Sequence, residues 1–402
     1  MRVLIADKLP DAFRTQLQES GAVVHVDASL KDQALTDAII EHKPDVIVVR
    51  STKVKAPQIQ AGSNLQLVVR AGAGVNTIDL DTASERGVFV SNCPGMNAVA
   101  VAELTFGHIL NADRRISDGV ADLRAGQWNK GVYSKGAAGL KGRTLGLIGT
   151  GSIAKEVAKR ALAFDMEVVA SSPSFTPAKA LAMGVRFADG AIEVARQSDI
   201  LTVHCSLSPS TQGLIGRAIL EALRPGAIFV NTTRGPVVDE DALLWAIQER
   251  GLRAGLDVFC NEPSGKSGPW THPLLEQSTV YGTHHIGAST DQAQQAVADE
   301  ALRVILEWQR SGDAPNCVNL CTVTPATHLL VVRHQDKVGV LANVLGVLRE
   351  NEINVQQMEN IVFSGAKAAL ARIQLDAPVS SDALDTLRSS EAVYDAQLVA
   401  LS

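Results

Sequence analysis

The stretch Thr144-Leu145-Gly146-Leu147-Ile148-Gly149-Thr150-Gly151-Ser152-Ile153-Ala154 decides the fold. An apolar run suited to a buried strand, Thr144–Ile148, stops at a glycine-rich turn, and a helical pattern opens at Ser152. Gly149 permits the tight turn and Gly151 lets the backbone come close to a ligand. The helix N-terminus at Ser152 and Ile153 then offers unpaired N–H groups and a positive dipole end to a pyrophosphate. Ala154 stands where the pattern accepts glycine or alanine. The spacing alone is common, and the alternation around it gives it meaning.

Downstream of the turn, short apolar runs at Glu167–Ala170, Val185–Phe187, Asp199–Val203, Ala227–Asn231, Ala254–Val258 and Thr279–Tyr281 read as strands, with a helix from Glu240. Upstream, Val3–Ala6, Val23–Val26, Val46–Val49, Leu67–Val69 and Val88–Val90 repeat the rhythm, with helices after Pro10 and across Asp32–His42. Each alternation predicts a parallel sheet covered on both faces, hence an α/β chain with two doubly wound domains, Rossmann-like or flavodoxin-like. A helix from Ala98 to about Asn111, a loop from Gly126 to Gly142 and a long helical pattern over 288–310 complete this part. The long helix can lead the chain back to the first domain. The expected division is therefore 1–97 with 288–318, and 98–287.

After Pro315 the texture changes. Cys317–Pro325 reads as a linker. Strands at Leu329–Arg333, Asn354–Val362, Ala368–Leu375 and Ala392–Leu401 alternate with helices at Val338–Asn351 and Ser381–Ser390. That βαββαβ order predicts a ferredoxin-like unit over 326–402.

Composition narrows the function classes. A formal net charge of −6 disfavours a nucleic-acid or anionic-membrane surface. Met1-Arg2-Val3-Leu4-Ile5-Ala6-Asp7 enters a strand directly, without a signal peptide's apolar core, and no run approaches membrane-spanning length, so a cytoplasmic location is expected. Five scattered cysteines do not make a disulfide framework. Cys317 and Cys321 lack the second pair that a structural zinc needs, so no metal is expected.

The chemistry is expected at the ends of the later strands. Arg234, in Asn231-Thr232-Thr233-Arg234-Gly235-Pro236, follows strand Ala227–Asn231 where open α/β sheets bind ligands, and its guanidinium suits a bidentate grip on a carboxylate. His285 follows the last strand and can move a proton near neutral pH. Glu262, after strand Ala254–Val258, can hold the ring and stabilise imidazolium. His284 is a rival base, but alternation along the segment turns it the other way. Together these residues suit hydride transfer between a nicotinamide and a 2-hydroxy acid. Ser172 occupies the place, roughly 20 residues after the glycines, where an acid binds the ribose hydroxyls. NAD is expected, with NADP left open.

In these residues the chain resembles the D-2-hydroxyacid dehydrogenase family along essentially its whole length, and within it the branch that oxidises 3-phosphoglycerate. The resemblance implies a catalytic trio of Arg234, Glu262 and His285. It places Gly149, Gly151, Ser152, Ile153, Ser172, Cys205, Thr232, Asp257 and Gly287 around the dinucleotide, with Asp257 near the nicotinamide amide. Arg50, Lys53, Arg70, Ala73, Gly74 and Asn97 would hold the substrate and its phosphate. Departures are Ser172 for the Asp of NAD-using members, His284 for a usual proline, and Thr232 for a frequent cysteine. A glyoxylate or hydroxypyruvate reductase is the near alternative. A dinucleotide-sensing binding protein on the same fold is a remote one, which any turnover would exclude. The C-terminal unit resembles the ACT module, with Val332–Leu341 as its first strand-to-helix turn. That implies a small amino-acid effector such as serine, touching His334, Asp336 and Asn354 at a contact between subunits. A purely dimerising role is the other reading, and a homodimer or homotetramer is expected either way.

Overall fold

The computed structural model describes residues 1–263, 267–321 and 323–401, which fall into two compact units, Met1–Asn319 and Leu320–Ser402. The first unit begins with β1 (Arg2–Ile5), α1 (Asp11–Glu19), β2 (Val23–Val26), α2 (Asp32–His42), β3 (Val46–Val49), α3 (Ala56–Ala61), β4 (Leu67–Arg70), α4 (Leu80–Glu85) and β5 (Phe89–Asn92). These strands form a parallel sheet in the order β2-β1-β3-β4-β5, the flavodoxin-like winding. Alternation along each strand splits the apolar residues between two faces. Val3 and Ile5 pack with Phe13 and Leu17, while Leu4 packs with Leu35 and Ile39.

The chain continues through α5 (Ala98–Arg114), α6 (Ile116–Arg124) and α7 (Lys130–Tyr133) into the strand that precedes the glycine turn. Then follow β6 (Thr144–Ile148), α8 (Ser152–Ala163), β7 (Glu167–Ser171), α9 (Pro177–Met183), β8 (Arg186–Phe187), α10 (Ala191–Gln197) and β9 (Ile200–Val203). The second half is α11 (Arg217–Ala222), β10 (Ile228–Asn231), α12 (Glu240–Arg250), β11 (Arg253–Leu256), β12 (Val280–Gly282) and α13 (Asp291–Ser311). The seven strands are ordered β12-β11-β10-β9-β6-β7-β8, a Rossmann winding with one strand added at the β11 edge. Leu145 and Leu147 pack with Phe106 and Ile109 of α5, and Leu201 and Phe229 pack on the opposite face. Val297, Ala301, Val304 and Ile305 of α13 join the core of the first sheet, so this helix carries the chain back.

In the second unit, β13 (His328–Gln335), α14 (Val340–Glu350), β14 (Val355–Val362), β15 (Ala368–Leu375), α15 (Ser381–Arg388) and β16 (Val393–Ala400) give an antiparallel sheet ordered β14-β15-β13-β16. This is the ferredoxin-like arrangement, with Leu330, Val332, Ile373 and Leu375 buried against Val344, Leu348 and Leu387.

Candidate active site

Strands β10, β11 and β12 run parallel with Asn231 beside Leu256 and Leu256 beside Gly282. Their C-terminal ends are therefore level, and the loops that follow emerge along one edge. Those loops carry Arg234, Glu262 and His285. His285 Nδ1 lies 2.8 Å from Glu262 Oε2, and Glu262 Oε1 accepts the Phe259 N–H at 3.0 Å. Burial pushes the Glu262 carboxyl up, but the hydrogen bonds from His285 and Phe259, with the charges of His285 and Arg234, outweigh it and hold the group below its ordinary range.

His285 itself has φ 54°, a left-handed conformation that costs a residue with a side chain. Asp257 fixes it. The Asp257 carbonyl accepts the His285 N–H at 2.8 Å. Its carboxylate accepts the N–H groups of Ile286 and Gly287 and the Thr283 hydroxyl. His284 is exposed and lies outside the cleft lining, which includes His285.

The cleft, ≈ 880 Å³, is lined from the first sheet by Arg50, Arg70, Ala73, Gly74 and Asn76, and from the second by Thr232, Arg234 and His285. Its cations are notable for what surrounds them. Burial, then the neighbouring charges of Arg234 and Arg50, lower the Arg70 guanidinium from its ordinary value. Arg70 Nε is buried with no hydrogen-bond partner. Among the described residues the Arg50 guanidinium reaches only Gln294 Oε1, at 3.2 Å, and Arg234 Nη1 donates to the Thr233 carbonyl at 2.6 Å. An anion entering here meets three guanidinium groups.

The glycine turn borders the same cleft through Gly151, Ser152 and Ile153. Gly149 has φ 96°, and a Cβ on it would collide with the His204 carbonyl. No side chain caps α8, and a Cβ on Gly151 would meet nothing within 4 Å, so the helix N-terminus faces open space. His204 and Cys205 also line the cleft, beside the glycine turn. Burial pushes the His204 imidazole down to about 3, and its Nδ1 has no partner. Free N–H groups, an unpaired neutral imidazole nitrogen and room for a chain of phosphates fit a nicotinamide dinucleotide. Gly151, Ser152, Ile153, Cys205, Thr232, Asp257 and Gly287 would line its path.

The family model for the D-isomer-specific 2-hydroxyacid dehydrogenase NAD-binding domain matches residues 106–287. A D-3-phosphoglycerate dehydrogenase of Methanocaldococcus jannaschii is 36% identical over 378 residues, covering 92% of this chain and 68% of the relative. The chain belongs to the D-isomer-specific 2-hydroxyacid dehydrogenase family. It is by that membership a nicotinamide-dependent dehydrogenase. A hydroxypyruvate reductase of Thermotoga maritima is 42% identical over 265 residues, covering 65% of this chain and 84% of the relative. Among solved structures, the apo D-mandelate dehydrogenase of Rhodotorula graminis aligns with TM-score 0.72 and 27% identity, covering 80% of this chain and 98% of that one.

Within this dehydrogenase one expectation is corrected. Lys53 is exposed and outside the cleft lining, because Thr52 and Val54 on either side are buried and Val54 bridges to Ile78, which turns the intervening side chain to solvent. The Ser172 hydroxyl is 2.7 Å from that of Thr150, which places it beside the glycine turn. His334, Asp336 and Asn354, expected at a contact between subunits, are spread along the sheet of the second unit. Val355 and His328 both pair with Leu375, at one end of the sheet, whereas His334 pairs with Ala369 near the other. Asn354 is thus roughly 20 Å from the His334 end at about 3.3 Å per residue, too far to share one small ligand within a single copy. His334 is moreover 2% exposed, with Nδ1 bonded to the Gln335 carbonyl and Nε2 to Asn360 Oδ1.

Sequence reasoning missed Asp7. Its carboxylate follows β1 and accepts the N–H groups of Arg50, Ser51 and Thr52 at 2.7, 2.9 and 2.8 Å, so it sets the loop that carries Arg50. An acid ending the first strand was the only available signal. His204 and Gln294 were missed as well.

Proposed function

We propose that this chain oxidises D-3-phosphoglycerate to 3-phosphohydroxypyruvate with NAD, a step toward serine. The observation that carries the reading is the convergence of Arg50, Arg70 and Arg234 on one cleft, none of them in an ion pair among the described residues. A carboxylate needs one such group. The further pair suits a phosphate, which carries roughly −1.5 to −2 charges. In this reading Arg234 grips the carboxylate, and Arg50 and Arg70 take the phosphate. A bound nicotinamide supplies the hydride acceptor. His285 Nε2, left free because Nδ1 is tied to Glu262, takes the hydroxyl proton. Glu262, held ionised, supports the imidazolium that results.

Residues 1–97 with 288–318 would then hold the substrate and 98–287 the dinucleotide, in a cytoplasmic homodimer or homotetramer. Residues 326–402 would act as an ACT module that takes serine between two copies, since a two-fold pairing can bring the Asn354 end of one module to the His334 end of the other. The Thermotoga relative favours a second reading, reduction of hydroxypyruvate or glyoxylate. Steady-state kinetics on 3-phosphoglycerate, D-glycerate, hydroxypyruvate and glyoxylate, each with NAD and NADP forms, tests the choice. The highest kcat/KM is expected for the phosphorylated substrate with NAD. A preference for the unphosphorylated acids would replace the first reading with the second.

A further inference from the structure

Resting on the reading of Arg234 and His285 as the carboxylate grip and the proton-transfer group, we propose that helix α5 keeps their two loops in register through the positioning residues Thr105 and His108. Val101, Thr105 and His108 follow one another at intervals of four and three residues, so they form one stripe along the helix. Each meets a cleft loop. The Val101 side chain packs at Gly287, where an added Cβ would lie 3.4 Å from Val101 Cγ2. The Thr105 hydroxyl donates to the Val101 carbonyl at 2.8 Å and lies 3.1 Å from the Thr232 hydroxyl, in the turn that leads to Arg234. With its own proton used, Thr105 accepts from Thr232.

His108 reaches the other loop. Its Nε2 lies 3.0 Å from the Thr283 hydroxyl, and that hydroxyl donates to Asp257 Oδ1 at 2.6 Å. The Thr283 proton is therefore committed, so His108 Nε2 must carry a hydrogen and donate it. The direction then runs one way, from His108 to Thr283 to the Asp257 carboxylate that gathers the N–H groups of Ile286 and Gly287 at 2.8 Å. Asp257 also holds the strained His285 backbone through its carbonyl.

The site is made for an imidazole. Gly255 in β11 leaves the space, since a Cβ there would sit 2.9 Å from His108 Cγ and 3.1 Å from its Nδ1. His108, Thr105 and Asp257 are 3%, 0% and 1% exposed. An aliphatic side chain would fill the notch without the desolvation cost of a polar ring, so what the histidine adds is its hydrogen bond. Burial lowers the His108 imidazole from its ordinary value, partly offset by Asp257, and the neutral ring still donates from Nε2. One rigid helix face thus fixes two loop tips whose side chains must meet neighbouring groups of one substrate within a fraction of an ångström.

Hydrogen exchange on the full-length protein tests this without substrate, on His108→Leu, His108→Gln and Thr105→Val. His108→Leu is expected to speed exchange across residues 284–288 by about tenfold or more and leave 231–236 unchanged; Thr105→Val should do the reverse. Gln places an amide N–H where Nε2 stood, so His108→Gln should restore protection. In turnover, kcat of His108→Leu should fall about tenfold with cofactor KM within about twofold, and its loss should not add to that of Thr283→Val. Unchanged exchange over 284–288 in His108→Leu would overturn the proposal, as would uniform loosening of every segment with no rescue by Gln. If the wild-type protein turns over no hydroxy acid, the proposed activity fails, while the exchange pattern still decides the role of α5.

Discussion

At the scale of single residues, His285 and Glu262 form a couple whose geometry assigns different work to each ring nitrogen. Nδ1 is held by the carboxylate, which leaves Nε2 for the substrate hydroxyl. His285→Ala should lower kcat by about 10²-fold or more with cofactor affinity retained, measured by steady-state kinetics and NADH fluorescence titration. Wild-type turnover in that variant, or loss of activity in His284→Ala instead, would reassign the base. Glu262→Gln removes the charge that favours imidazolium. It should therefore impair keto-acid reduction at high pH more than oxidation, and pH profiles in both directions would show this. These roles were legible because proton transfer and carboxylate binding need particular side chains at strand ends. Asp7 and His108 were not legible as site residues. Their partners lie 43 to 45 and 175 positions away, and only the folded chain pairs them.

At the scale of elements, the strands and long helices were readable from alternation, and five of the unread helices, α6 and α7 apart, share a cause. Helices α3, α4, α9, α10 and α11 span only six or seven residues, too few turns for a 3.6-residue period to stand out. The close approach of the Arg234 and Glu262 loops was not visible. Gly235 lets the Arg234 turn touch Phe259 and Cys260, whose backbone a Cβ would strike. The loop after β3 carries a prediction. Burial raises the Asp7 carboxyl, but the N–H groups of Arg50, Thr52 and Ser51 and the Ser51 hydroxyl outweigh it and hold the group below its ordinary value. A depressed folded value contributes stability that is present above the unfolded value and lost as pH falls through the folded one. Asp7→Asn should thus lower Tm at pH 7, and the gap from wild type should narrow below about pH 4. Arg50→Met and Arg70→Met should raise KM for 3-phosphoglycerate far more than for D-glycerate, since a charge-assisted bond contributes about 1.5–3 kcal/mol. Equal losses on both substrates would leave these arginines a structural role.

At the scale of the whole molecule, three sheet orders follow from three stretches of sequence, and the order of strands was legible in each because turns and helical patterns separate one apolar run from the next. Register was not. Antiparallel pairing through β15 puts Asn354 and His334, both matched to an effector site, at opposite ends of one sheet. Any shared ligand must therefore bridge two copies, and binding must be linked to assembly. A ligand shifts activity only as far as it prefers one arrangement, with a typical coupling of about 1–3 kcal/mol. Serine should inhibit the full-length enzyme, and in the assembled protein Asn354→Ala and Asp336→Ala should each abolish that response, since in the proposed reading they contribute opposite halves of one site. A chain ending at Asn319, the boundary of the first compact unit, should stay active and ignore serine. Calorimetry of the full-length protein with serine and glycine, alongside its sedimentation at several concentrations, measures both sides of the linkage. No heat and no inhibition with either amino acid would leave residues 326–402 an assembly element alone.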